Sequence, residues 1–442
     1  MLSIPSLWTQ IDFSFGKSDR AEEFIGRSGD QLLNVCQFVH DEKVVEPFLP
    51  STLDNIHRLQ WLEIFSFHTG FDRVLGSFAS SAPELKHIGI TNDPTRSNGE
   101  IKLSSSKFFG GRLPKLTRLS LNYLDTDLRG FNLPSLRRFI LARIISISVR
   151  DLTSFFERCP LLEFIEISLH YTSEPPAPPP VNRVRLATLK ELRFDRTASA
   201  SGLLDHLILP KCADMKLEGQ FTGEEFDIFG EPAARIHPSS IDHLPATREI
   251  TKAVAMPNSC DFSGPNGDLR FIWSDEARGS FNGRYFTSLS PVFVLDIREL
   301  LVGQNTTAGS PWKQTVAGAR GAFSVLTKVE DLTIVNCETG PLFAALGVAK
   351  DGRMFLPELQ RLTIYVGLGN VKVLALIRCA EARKERSKPL GKVTVIFKEE
   401  LGDDSVRELE SLRAFVGELI YYVGAAPKLS REIDDNGETW LM

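Results

Sequence analysis

The sequence predicts an α/β fold built from short strand–helix units stacked side by side. Three observations predict it: an apolar triplet of form L-x-x-L-x-L that returns along the chain, proline ahead of that triplet, and a spacing of one small unit between successive triplets.

The triplets come first. In the N-terminal half they are Leu59/Leu62/Ile64, Leu85/Ile88/Ile90, Leu116/Leu119/Leu121, Leu136/Phe139/Leu141, Leu162/Ile165/Ile167 and Leu189/Leu192/Phe194. They return at Ile297/Leu300/Val302, Val329/Leu332/Ile334, Leu359/Leu362/Ile364 and Leu390/Val393/Val395. With 42% apolar residues, chance alone yields about 32 such patterns, so context has to discriminate. Proline stands two residues before an apolar start at Pro83, Pro114, Pro134, Pro160, Pro210 and Pro357. Chance predicts about 2 such coincidences. Successive starts are separated by 26, 31, 20, 26 and 27 residues, then by 32, 30 and 31. These are the periods of an irregular leucine-rich-repeat solenoid, with parallel strands on the concave side and helices on the convex side.

Within each unit the last two apolar residues lie two apart, on one face of a strand. Proline before the strand is expected to stop the preceding helix, since it cannot continue one. Helices are expected near 71–80, 150–158, 203–207, 342–349 and 370–383, where apolar residues recur at three- and four-residue spacing. Asn305 and Cys337 fall where such repeats carry a turn-bracing Asn or Cys. Residues 218–291 interrupt the count and are rich in Gly and Pro; strands are expected at 248–254 and 269–273, the second after a turn at 264–268. These strands extend the same sheet or form an inserted domain. At the C-terminus Ser405-Val406-Arg407-Glu408 reads as a capping box, and Val406, Leu409, Leu412, Val416, Leu419 and Val423 predict one amphipathic capping helix closed by Gly424. The expected organisation is therefore 1–58, N-terminal capping strands and helix; 59–217, repeats; 218–291, an irregular strand-rich segment; 292–400, repeats; and 401–442, capping helix and tail.

Composition bounds the function. The 442 residues carry 51 Lys+Arg against 56 Asp+Glu, a formal charge of −5, which argues against a dedicated nucleic-acid binder. No apolar run is long enough to span a membrane, and the start lacks a signal peptide, so a cytoplasmic or nuclear protein is expected. Six scattered cysteines without C-x-x-C spacing read as reduced thiols in apolar settings.

No enzymatic signature is found: H-E-x-x-H, G-x-S-x-G and the P-loop pattern are all missing from the sequence. The 367–369 Gly-Leu-Gly reads as a turn, His237 and His243 as loop histidines, the 175–180 proline run as an inter-repeat loop, and the basic run at 381–392 as a solvated helix end. Neither catalytic residues nor a cofactor nor a metal is expected. A binding face remains. Residues flanking the buried pair of each strand point to the concave side: Trp61, Glu63, Arg118, Asn122, Arg138, Glu166, Glu191, Arg193, Asp195, Asp331, Arg361 and Tyr365. A mixed-sign strip containing arginine and aromatics suits recognition of a protein partner.

The opening Ile4-Pro5-Ser6-Leu7-Trp8-Thr9-Gln10-Ile11-Asp12-Phe13, then Arg27-Ser28-Gly29 and Leu32-Leu33-Asn34-Val35, resembles a stretch of the F-box/leucine-rich-repeat-like proteins of basidiomycete fungi, as does Cys159-Pro160-Leu161-Leu162-Glu163. In that family a Leu-Trp segment is followed by a short strand, a helix with a Ser-Gly stop and another strand. The resemblance implies the substrate-recognition part of a cullin-based, SCF-type ubiquitin ligase, in which the F-box docks on a Skp-type adaptor and the repeats hold a target. The F-box itself is missing ahead of Ile4, so adaptor docking is assigned to no residue here and is expected only if an upstream F-box exists. The alternative is an F-box-less scaffold with no role in ubiquitin transfer.

Overall fold

The protein is described by a computed structural model over residues 4–13, 18–39, 50–66, 75–92, 102–104, 109, 113–144, 147–169, 183–195, 203–219, 245, 248–256, 259–273, 295–303, 315–347, 352–366, 372–398, 400 and 402–424. It is mixed α/β, organised on parallel sheet, and divides into two compact units with a break after Gly219.

In the first unit the strands are β1 (Gln10–Asp12), β2 (Leu33–Val39), β3 (Leu59–Ser66), β4 (His87–Asn92), β5 (Lys102–Ser104), β6 (Arg118–Asn122), β7 (Asp125–Asp127), β8 (Arg138–Ile144), β9 (Phe164–Leu169), β10 (Val184–Arg185), β11 (Glu191–Asp195), β12 (Leu207–Ile208) and β13 (Asp214–Gly219). The main sheet runs β1-β2-β3-β4-β6-β8-β9-β11-β13, every pair parallel. The β5–β7 and β10–β12 pairs form two minor ladders.

Register explains why the sheet is so regular. Ile11, Val35, Leu62, Ile88, Leu119, Phe139, Ile165, Leu192 and Met215 are partners from one strand to the next. All are at most 2% exposed. A slip of one residue would turn such a row to the other face, at about 1.5–3 kcal/mol for each large apolar side chain moved into water. The helix α1 (Ser18–Arg27) is stopped by Ser28 and by Gly29, which adopts a left-handed φ of 56°. In α2 (Val149–Glu157) the Ser148 hydroxyl caps the Asp151 N–H. That helix packs on the core face of the sheet, with the Phe155 ring 4.8 Å from that of Phe139 on β8.

The second unit contains β14 (Ile250–Met256), β15 (Ser259–Gly264), β16 (Gly267–Trp273), β17 (Leu295–Gly303), β18 (Asp331–Val335), β19 (Arg361–Val366), β20 (Leu390–Phe397) and β21 (Val416–Val423). The order is β16-β15-β14-β17-β18-β19-β20-β21. The β14–β15 and β15–β16 pairs are antiparallel and the others in this order are parallel. The core row is Ala253, Leu300, Leu332, Leu362, Val393 and Leu419. Helices α3 (Val316–Val325), α4 (Thr339–Leu346), α5 (Val373–Glu385) and α6 (Asp403–Glu410) pack each against the next. The strands expected at 248–254 and 269–273 thus join this sheet through β14, with β15–β16 a hairpin beside it.

Every residue of the ten apolar triplets is buried. The prolines have a role other than the expected helix stop. In each of the six cases the apolar residue two positions after proline donates its N–H to the carbonyl three residues back. The pairs are Leu85 to Ala82, Leu116 to Leu113, Leu136 to Leu133, Leu162 to Cys159, Cys212 to Leu209 and Leu359 to Leu356, at 3.1–3.4 Å. Proline therefore occupies the second position of a β-turn, for which its fixed φ is suited. The turn brings an apolar residue on either side of it into the core.

The C-terminal capping helix is half right. Residues 403–410 are helical, but the helix ends in a 3-10 turn, Ser411–Ala414, and Val416, Leu419 and Val423 lie on β21. Gly402, not Ser405, occupies the N-cap. The sequence Val-Gly-Glu-Leu-Ile-Tyr-Tyr-Val is rich in β-branched and aromatic residues. Strand pairing with β20 wins, and Gly417 makes the approach possible, since a Cβ there would stand 2.6 Å from the Gly391 carbonyl oxygen. Residues 175–180, 367–369, His237, His243 and Asn305 lie outside the described residues.

Candidate functional site

The sheet face opposite the triplets carries the side chains singled out in the sequence. In the first unit the structure brings most of them into two neighbouring rows. One row runs Trp61, His87, Arg118, Arg138, Phe164 and Glu191 across β3, β4, β6, β8, β9 and β11; the next runs Glu63, Gly89, Ser120, Ile140, Glu166 and Arg193.

At one end Trp61, 36% exposed, stacks on His87, which is 2% exposed, with ring centroids 3.4 Å apart and planes 11° from parallel. His87 Nε2 lies 3.1 Å from Glu63 Oε1. The hydrogen bond from His87 holds Glu63 below the usual carboxylate range. Burial dominates at His87 and pushes its pKa below that of a free imidazole, although Glu63 acts the other way. At neutral pH His87 is therefore an uncharged donor rather than half of an ion pair, and its Nδ1 is shielded without a partner. Gly89 makes room: a Cβ there would meet Glu63 Cγ at 3.1 Å and His87 Nε2 at 3.3 Å.

Further along, the Arg138 guanidinium lies 3.9 Å from the centroid of Phe164, and that of Arg193 lies 5.3 Å from the same ring. Arg118 reaches toward Trp61 at 5.9 Å. Arg193 is paired with Glu191. Asn122 donates to Thr91 Oγ1 at 3.0 Å. Glu166 is part-exposed on β9, while the side chain of Asp195 lies outside the described residues.

In the second unit the same face has a different pattern. Lys252, Glu299, Asp331, Arg361, Lys392 and Glu418 form one row, linked by Lys252–Glu299 at 2.7 Å, Asp331–Arg361 and Lys392–Glu418 at 3.3 Å. Beside it Thr333, Thr363 and Thr394 are register partners. These two rows line an open groove of about 420 Å³. Exposed pairs of this kind contribute only about 0.2–1 kcal/mol each, so they bear on what the face recognises more than on whether it folds.

Tyr365 corrects the expected binding strip. It is 5% exposed and packs with Val335, Ile396 and Leu301 in a small apolar cluster on the open face. Its row neighbours are apolar, so they cover its ring; the hydroxyl reaches the Gly424 carbonyl at 3.5 Å. His87, Phe164, Lys252 and Glu299 are not among the residues singled out in the sequence, and Lys392, read there as part of a basic helix end, lies on β20 instead. All flank buried triplet or ladder residues, and applying the strand alternation to every unit would have found them.

Among the described residues no three His, Cys, Asp or Glu side chains gather as a metal site, and no helix is long and apolar enough to cross a membrane. Comparison with protein-family models gives no match, and comparison with curated proteins gives none either.

Proposed function

We propose that this chain is a leucine-rich-repeat-like solenoid that binds a protein partner through the open face of its parallel sheets. The observation that carries the reading is the division of labour between faces. One face is a continuous buried ladder, whereas the other presents charged and aromatic side chains drawn from strands 20–30 residues apart in sequence. Sequential strands pairing in parallel, six of them introduced by an apolar-Pro-x-apolar turn, support a repeat architecture.

The partner is proposed to be the target of an SCF-type ubiquitin ligase, for which this chain is the recognition part. Support comes from the N-terminal stretch, where a 3-10 turn ending at Trp8, the short strand β1, the helix α1 with its Ser28-Gly29 stop and the strand β2 follow in the order implied by the resemblance. Affinity purification of the tagged chain with cross-linking tests the binding role. The expected result is a protein cross-linked at Lys216, Lys252 or Lys392 on the open faces; cross-links confined to the helical side would contradict it. Deleting the gene then separates the roles: a partner that accumulates and loses ubiquitin supports the ligase, and an unchanged partner supports a plain scaffold.

A further inference from the structure

We infer that Arg118 and Arg138, neighbours across β6 and β8 in the first unit, form a carboxylate-binding site that takes an acidic, extended segment of the protein partner. The inference rests on the protein-binding reading above and specifies its chemistry.

The two arginines are direct register partners on one sheet face. Like charges placed opposite each other destabilise a sheet, so the arrangement calls for a compensating group. Within the chain that compensation is incomplete. Phe164 supplies a ring face to Arg138 and Trp61 a more distant one to Arg118. Neither guanidinium hydrogen-bonds to a carboxylate among the described residues, and the Nε atoms of both are shielded without a partner. Arg193, nearby, shows the contrast, because Glu191 already occupies it. Burial and the charges of Arg118 and Arg193 depress the pKa of Arg138 from its ordinary value, a direction that an incoming anion would reverse.

The fork of a guanidinium matches the two oxygens of a carboxylate, and two forks one strand apart suit an Asp- or Glu-rich segment. Glu166 on the adjoining β9 and Glu191 one strand further, on β11, act on Arg138 as well. A doubly charged phosphoryl group would be repelled more strongly by these glutamates and drawn more strongly by the arginines, so a phosphoserine segment is the competing ligand. The flat Trp61–His87 stack borders the arginines and offers a platform for an apolar or aromatic neighbour in the segment.

The test is fluorescence anisotropy on the full chain with a labelled Glu-Ala-Glu peptide, against matched Gln-Ala-Gln and phosphoserine peptides and a single-stranded oligonucleotide. The expected result is binding of the Glu peptide alone, weakened about tenfold or more in Arg118→Gln and in Arg138→Gln and also weakened by added salt. Lys115→Gln, an exposed site outside these rows, should bind as the parent does. The variant R118K/R138K keeps both charges but not the forks; with its circular dichroism and thermal midpoint matching the parent, it should still lose the Glu peptide. Protection of Arg118 and Arg138 from phenylglyoxal by the Glu peptide, read by mass spectrometry on the unmutated chain, gives a second support. Equal binding of the Gln peptide, undiminished binding by folded R118Q/R138Q, or preference for the phosphoserine peptide or the oligonucleotide would overturn the inference. If a captured protein partner still binds R118Q/R138Q, the site is wrong while the protein-binding role stands. If the Glu peptide binds and no protein is captured, the role fails while the site stands.

Discussion

Arg383, fully buried at the end of α5, donates from Nη2 to the carbonyl oxygen of Leu356 at 2.9 Å, across 27 residues of sequence. Nη1 donates to the Phe355 carbonyl at 3.1 Å. Two other arginines make the same kind of reach: Arg158 to the carbonyls of Phe131 and Leu128 at 2.9 and 2.8 Å, and Arg58 to that of Gln31 at 3.0 Å. Each spans 27–30 residues of sequence and donates to turn carbonyls that the sheet ladder does not use.

Replacing Arg383 with Met should therefore destabilise the second unit. The loss of the charge removes its burial cost, but the Phe355 carbonyl loses the guanidinium donor, at about 1–3 kcal/mol, and the Leu356 carbonyl keeps only the turn N–H of Leu359. The expected outcome is faster amide hydrogen exchange in β19 and α5, with the exchange of β3 and β4 unchanged. Protection equal to that of the parent would show that water can replace the guanidinium.

Leu119 offers a cleaner test of the ladder. Its neighbours in the row are Ile88 and Phe139, and it has no exposure. Leu119→Ala is expected to cost about 2–5 kcal/mol, read as a lower urea midpoint. The adjacent Ser120→Ala, on the other face, should stay within about 0.5 kcal/mol of the parent. Similar losses at both positions would mean that the two faces are not distinguished as described.

These features were unequally legible in the sequence. The triplets mark the core because alternation along a strand is a local property, and so Trp61, Arg118 and Arg138 fall where alternation puts them. Tyr365 fails because its burial depends on Val335 and Ile396, about thirty residues to either side, being apolar at the same register. Val416, Leu419 and Val423 satisfy a helical period and a strand equally well, and the pairing edge of β20 decides between them. Arg383, placed in a basic run, reads as a solvated helix end; the turn carbonyls of Phe355 and Leu356, 28 and 27 residues earlier, explain its burial. The proline two residues ahead of an apolar start is visible in the sequence, where it reads as a helix stop; the β-turn it occupies is not.

The thiols should be inert in the folded protein. All six cysteines are free, and five are buried. Burial pushes Cys159, Cys212 and Cys379 up to about 12 and, with help from Glu63 and Asp12, Cys36 up to about 11. Thiolate is the reactive form, so near pH 8 its population in these residues is minute. A disulfide reagent is expected to titrate no rapidly reacting thiol in the native chain and six after guanidinium is added. A fast native stoichiometry of one would point to Cys36, the half-buried one, and a larger number would contradict the burial of the rest.

The Glu63–His87 pair predicts how stability varies with pH. Glu63 is held below the ordinary carboxylate range by the His87 hydrogen bond, so its contribution is present above about pH 4.5 and fades as the pH falls through its depressed folded value. His87 is lowered by burial, so between its folded value and about pH 6.5 the unfolded chain binds a proton that the folded chain does not. Both terms have the same sign: stability should fall as the solution is acidified from about pH 6.5. Thermal midpoints measured across this range should decline in the parent and decline less steeply in His87→Gln, whose amide can still donate to Glu63 but cannot be protonated. An imidazole titration followed by NMR should place His87 below 6.5. A value above it would mean that the carboxylate of Glu63 outweighs burial, making the pair a true ion pair that gains strength, rather than loses it, on mild acidification.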